Sequence, residues 1–138
     1  MQLKIKKLLI LAIPAFLLIA VFLVLQLPSN NNPMIQPSSE LQQEKPDISS
    51  ALSAHYTLLE DWTVSSENLL LFQGEYYYGA TLVPSERPNQ GYDTYRALLK
   101  KTDGSWQVVS QPPQLIFSYA DFPDIPAPII DLVNRLES

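Results

Sequence analysis

One histidine, 14 carboxylates, seven tyrosines and no cysteine bound the chemistry open to this 138-residue chain. His55 alone cannot build a multi-histidine metal site. Without cysteine there is no thiolate nucleophile, no redox-active thiol and no zinc site that needs sulfur. A Ser–His–Asp triad would be announced by a nucleophile motif such as G-x-S-x-G, and none is present. A structural or surface role is therefore expected for His55. Neither a P-loop nor a G-x-G-x-x-G occurs, and four glycines leave little material for a phosphate cradle. Carboxylates pair locally at Glu60-Asp61 and at Asp121/Asp124, without the spacing of a calcium loop or of a glycosidase cleft. They read as solvated or helix-capping charges. The expectation is a protein without metal or cofactor, and not an enzyme; a small hydrolase is the least favoured reading.

The aromatic residues are more suggestive. Tyr76, Tyr77 and Tyr78 are consecutive, so strand alternation places Tyr76 and Tyr78 on one face and Tyr77 on the other. If the face carrying Ala80 and Leu82 is buried, Tyr77 is exposed beside Thr81. Tyrosines on a surface supply rigid contact area with a polar tip. The outer sheet face around Tyr77 and Arg96, with Tyr92 and Tyr119 near loop edges, is the candidate recognition patch.

Several elements must position these residues. Leu8 to Leu25 is an unbroken apolar run preceded by Lys4, Lys6 and Lys7. Eighteen residues at a helical rise of ~1.5 Å reach ~27 Å, close to a bilayer's hydrocarbon core. The run is longer than the apolar part of a signal peptide and leads into Gln26-Leu27-Pro28 without a small-residue cleavage site. An uncleaved transmembrane helix over 8–27 is expected, with residues 1–7 as a basic cytoplasmic segment and the lipid bilayer as one partner. Lipoprotein attachment is excluded by the lack of cysteine. The three lysines orient the N-terminus to the cytoplasm, which puts everything after the run on the far side of the membrane. Three of the nine basic residues precede the run, so the rest carries six against 14 acidic residues, a net of −8. That balance excludes nucleic acid as a natural partner.

From Pro28 to Pro46 the chain is rich in Pro, Ser and Asn, and residues 28–46 read as a disordered linker reaching about 25 Å. A single domain over 47–138 follows. Asp47 suits a helix N-cap, and Ile48, Leu52, Tyr56 and Leu59 form one apolar stripe, predicting a helix over about 48–60. Trp62 to Phe72 reads as one bent strand or two short ones, Gln73-Gly74-Glu75 as a hairpin turn and Tyr76 to Val83 as a second strand. Asp93 to Thr102 and Ser105 to Ser110 flank Asp103-Gly104, a pair preferred by type I′ turns. The two-residue turn sets Lys101 opposite Trp106, Leu99 opposite Val108 and Ala97 opposite Ser110. Tyr95, Ala97, Leu99, Trp106 and Val108 then share an apolar face, with Arg96, Lys100 and Gln107 opposite, as in a sheet buried on one side. Leu115-Ile116-Phe117 suggests a further short strand, Phe122 to Pro128 an extended proline-rich segment, and Pro128 the first turn of a last helix with Ile129, Leu132, Val133 and Leu136 on its apolar face.

The strand pair Tyr95 to Val109, of the form Y-x-A-L-L-K-K-x-D-G-x-W-x-V-V, and the F-P-x-I-P-x-x-I-I segment Phe122 to Ile130 resemble small single-span envelope proteins of bacteria. The resemblance covers roughly residues 47–137. It implies a cystatin-like or NTF2-like α+β domain, in which a helix packs on a curved antiparallel sheet of about four strands, followed by a short C-terminal helix. It supplies no catalytic residues. The function expected is that of a membrane-anchored, extracytoplasmic, non-catalytic binding module with an envelope protein as partner, within an envelope or secretion-type assembly. The alternative is a domain that binds an envelope glycan or peptide on its aromatic sheet face.

Overall fold

The computed structural model describes residues 31–56, 61–86, 94–111 and 113–137, all within one compact unit, Asn31–Ser138. The transmembrane helix expected over 8–27, Leu59 and Tyr92 lie outside the described residues. Among the described residues no helix is long and apolar enough to cross a membrane.

The fold is α+β. In chain order the elements are β1 (Met34–Ile35), α1 (Ser38–His55), β2 (Trp62–Phe72), β3 (Glu75–Pro84), β4 (Tyr95–Thr102), β5 (Ser105–Val108) and α2 (Ala127–Asn134). The strands form one antiparallel sheet in the order β1-β2-β3-β4-β5. The strand beyond the expected four is β1, which adds two residues to the edge of β2 opposite Leu70 and Leu71.

Two boundaries move. The stretch read as linker up to Pro46 holds β1 and half of α1, and Asp47 is an exposed residue inside the helix rather than its N-cap. The reason lies in how α1 is attached. Its C-terminal half is held by Ile48 and Leu52, and by Tyr56 just beyond it, but its N-terminal half offers only Leu41 to the core. Polar contacts fill the gap. Glu44 accepts from Lys101 Nζ at 2.6 Å and from Trp106 Nε1 at 2.8 Å. Lys45 pairs with Glu67, and Tyr76 donates to Glu40 at 2.9 Å. Partly exposed ion pairs contribute ~0–1 kcal/mol each, against about 1.5–3 kcal/mol for each fully buried large apolar side chain. The apolar residues therefore contribute most of what holds the helix on the sheet, and the charged ones tether its N-terminal half. Pro46 cannot donate to the Gln42 carbonyl, but both residues lie on the exposed side, where water can take the vacant acceptor.

β2 is one strand, bent by a bulge between Val64 and Ser66. The buried Thr81 hydroxyl accepts from Ser66 N–H there at 3.0 Å. Both hairpins turn through two residues of positive φ, Gln73-Gly74 (52° and 84°) and Asp103-Gly104 (51° and 79°), the combination a type I′ turn requires. The register of β4 and β5 is the one expected from the Asp103-Gly104 turn for Lys101↔Trp106 and Leu99↔Val108. The pair Ala97↔Ser110 does not form. β5 stops at Val108, and the amides of Val109 and Ser110 both donate to the Leu98 carbonyl.

The sheet is covered on both faces, not one. Leu41, Ile48, Leu52 and Tyr56 cover Leu69, Tyr78, Ala80, Leu82, Ala97, Leu99 and Trp106 on the first face. On the second, Phe117, Phe122, Ile125, Ile129, Ile130, Val133 and Leu136 cover Leu70, Phe72, Tyr77 and Leu98. Gly79 sets how closely α2 approaches, since a Cβ there would lie 2.5 Å from Val133 Cγ2. Leu115 to Phe117 forms no strand; a single bridge, Arg96↔Gln114, joins the segment to β4. The proline-rich segment is not extended but folds through turns closed by Asp121 N–H to Ser118 and Ile125 N–H to Phe122, which aim Phe122 and Ile125 inward.

Candidate functional site

The second face decides the fate of the residues expected to form a recognition patch. Tyr77 is fully buried beneath the C-terminal layer, with a relative exposure of 0%. The apolar stripe of α2 needs a partner, and the face carrying Tyr77 is the surface available to it. The exposed aromatic sheet face is thereby overturned. Only the Tyr77 hydroxyl reaches outward, donating to Glu75 at 2.6 Å, while Lys100 Nζ lies 2.8 Å from the same carboxylate and 5.5 Å from the ring centroid. Burial, then the bond to Glu75, pushes the Tyr77 phenol well above its ordinary value, and the bonds from Lys100 and Tyr77 lower Glu75.

Arg96 is not free to recognise a partner either. Its Nε donates to the Val133 carbonyl at 3.2 Å, Nη2 to Leu136 at 3.3 Å and Nη1 to Leu115. The last carbonyls of a helix lack intrahelical donors and carry partial negative charge, so a guanidinium is well suited to that end of α2. Reaching one carbonyl further, Arg96 also ties down the loop that follows Gln114.

That loop, residues 115–119, is where the expected and the unexpected residues meet. The Asn134 side chain pairs with both backbone groups of Phe117, at 2.8 and 3.0 Å, and Tyr119 donates to Asp131. Phe117 turns inward against Phe122, edge to face, at 5.2 Å. Held at those points, the loop presents Leu115, Ile116 and Tyr119 to solvent at relative exposures of 45%, 68% and 53%. The structure thus brings Arg96 and Tyr119 to one loop, leaves Tyr77 in the core, and Tyr92 lies outside the described residues. Leu115 and Ile116 were missed as surface residues because two adjacent aliphatic residues before an aromatic read as a strand.

A second surface feature lies beside β5. A groove of about 370 Å³ opens between the second face of the β4–β5 hairpin (Lys100, Thr102, Gln107, Val109) and the turns from Asp121 to Ile125. His55 is exposed, and its Nδ1 lies 2.6 Å from Gln111 Nε2. Among the described residues no group of three His, Cys, Asp or Glu side chains could hold a metal ion.

Comparison of the chain with known protein families, curated proteins and solved structures finds no match.

Proposed function

We propose that the chain is a single-span, membrane-anchored binding module whose folded domain lies outside the cytoplasm and docks an envelope protein through the loop 115–119. The observation that carries this reading is the exposure of Leu115, Ile116 and Tyr119 on a loop whose backbone is already fixed by Arg96, Asn134 and Asp131. Apolar side chains held in place before contact lose little conformational entropy on binding, which is the condition for an anchor residue at a protein interface. The polar surroundings of His55 and its contact with Gln111 favour a non-catalytic role. The apolar run expected to span the membrane at 8–27, the lysines before it and the sequence resemblance to single-span envelope proteins support this location and class of assembly.

A photo-reactive residue at position 116, activated in native membranes, tests this. The expected result is one recurrent protein adduct that is absent when the same residue replaces the exposed Ser53 on α1, and lost when Leu115→Ser is added. Equal adducts from positions 116 and 53, or none from 116, would overturn the reading. Leu115→Ser should leave the thermal midpoint almost unchanged, because substitutions at exposed positions usually shift stability by less than about 0.5 kcal/mol.

A further inference from the structure

The groove beside β5 has a property that the loop 115–119 lacks: it adjoins a strand at the end of the sheet. Among the described residues β5 is the last strand of the sheet, with β4 as its one strand partner. Hydrogen bonding alternates along an antiparallel pair, and a two-residue turn makes its flanking residues the closing bonded pair. Thr102↔Ser105 is that pair here, so Lys101↔Trp106 is non-bonded, Lys100↔Gln107 bonded and Leu99↔Val108 non-bonded. The bond from Val109 N–H to the Leu98 carbonyl continues the same phase. The backbone N–H and C=O groups of Trp106 and Val108 therefore point away from β4, toward the edge.

Side chains of a strand laid along that edge would alternate between the two faces. Those beside Gln107 and Val109 would enter the groove, whose apolar parts are Val109, Phe122, Pro123 and Ile125. Its charges are unequal in availability. Lys100 is already paired with Glu75, whereas the carboxylates of Asp121 and Asp124 make no ion pair or hydrogen bond with any described residue. A long cationic side chain suits such a site, its methylene stem on the apolar wall and its charge at the two aspartates.

We propose that β5 and its groove form a second binding site, independent of the loop 115–119, for an extended basic peptide that adds to the sheet as a sixth strand. Backbone bonds to Trp106 and Val108 hold the segment, and alternate Lys or Arg side chains opposite Asp121 and Asp124 select it. The acidity of the chain beyond its apolar run, a net of −8, favours approach of the same class of partner.

The test uses the full chain in a neutral detergent and three labelled peptides of about eight residues, a strand's length. The first alternates Lys and Val, the second Glu and Val, and the third repeats the first with N-methylated valines. Fluorescence anisotropy should show saturable binding of the first, none of the second, and a loss of roughly tenfold or more for the third. Asp121→Asn with Asp124→Asn should weaken the first by roughly tenfold or more, as removing the charges of a polar contact does. Amide exchange at Trp106 and Val108 should slow on binding. Both aspartates are exposed, so the variant tests recognition rather than folding. Absence of saturable binding, equal binding of the Glu peptide, an unaffected double variant, or unchanged exchange at Trp106 and Val108 would each overturn the proposal. Leu115→Ser should not alter binding of the peptide, which separates this site from the one on the loop.

Discussion

Ser110 shows how much one small side chain can hold. It is fully buried, and its Oγ accepts from Leu98 N–H at 2.8 Å while lying 3.0 Å from the Tyr56 hydroxyl, which in turn donates to the Ser110 carbonyl. One residue just past β5 thus completes the backbone bonding of β4 at Leu98 and ties down the end of α1 through Tyr56. Burial raises the Tyr56 phenol above its ordinary value, opposed by the bond to Ser110. Ser110→Ala leaves the Leu98 N–H without its acceptor in a place water does not reach. A loss of about 1–3 kcal/mol is expected, measured by chemical denaturation; a loss under ~0.5 kcal/mol would mean that the amide finds another partner. None of this is legible in the sequence, where Ser110 is one more polar residue at a strand end. Tyr77 was misread for a related reason. Alternation correctly separates it from Tyr76 and Tyr78, but alternation is silent on whether the second face is wet.

Among the elements, the sheet was the most legible and the helices the least. Strand positions, the Asp103-Gly104 turn and the register it sets follow from local turn chemistry and period-two patterning, which act within a few residues. α1 carries a weaker signal, because its first half is attached through Glu40, Glu44 and Lys45, residue types that look solvated in a sequence. α2 was visible from its apolar face, yet its partner was not, since the contact with Gly79 joins residues 54 positions apart. That contact yields a paired prediction. Gly79→Ala should cost about 1–3 kcal/mol by overpacking against Val133. Combined with Val133→Ala, the added methyl finds space, so the double variant should lose less than the two single variants summed. Additive losses in urea denaturation would place the strain elsewhere.

At the scale of the whole molecule, carboxylates tie α1 to the sheet and neighbouring strands to each other. Glu44 is lowered chiefly by its bond from Lys101, and Glu75 by its bond from Lys100 and then that from Tyr77. A carboxyl depressed in the folded state stabilises above its ordinary value near 4.5, and this contribution is lost as pH falls through the depressed value. The thermal midpoint should therefore drop on acidification below about pH 4.5, and Glu44→Gln should flatten that acid limb while lowering the midpoint at neutral pH. A variant with the same acid limb as the parent would remove Glu44 from the account. The candidate surfaces belong to this scale as well. Leu115 and Ile116 are exposed only because Arg96 and Asn134 spend their polar groups on the backbone around them, a tertiary arrangement that no local pattern records.

The sheet also carries a consequence for the order in which the domain is made. From β2 onward each strand pairs with its neighbour in the chain, so that part of the sheet can zip together as it emerges without a crossover connection. The covering of the second face arrives last, from Phe117 to Leu136. Until Leu136 has been synthesised, Leu70, Tyr77 and Leu98 stay bare on a sheet that ends at β5, the state in which a nascent sheet is most prone to pair with another chain. The window of vulnerability during biogenesis is thus set by the last twenty or so residues of the core, not by the slower-looking strands before them.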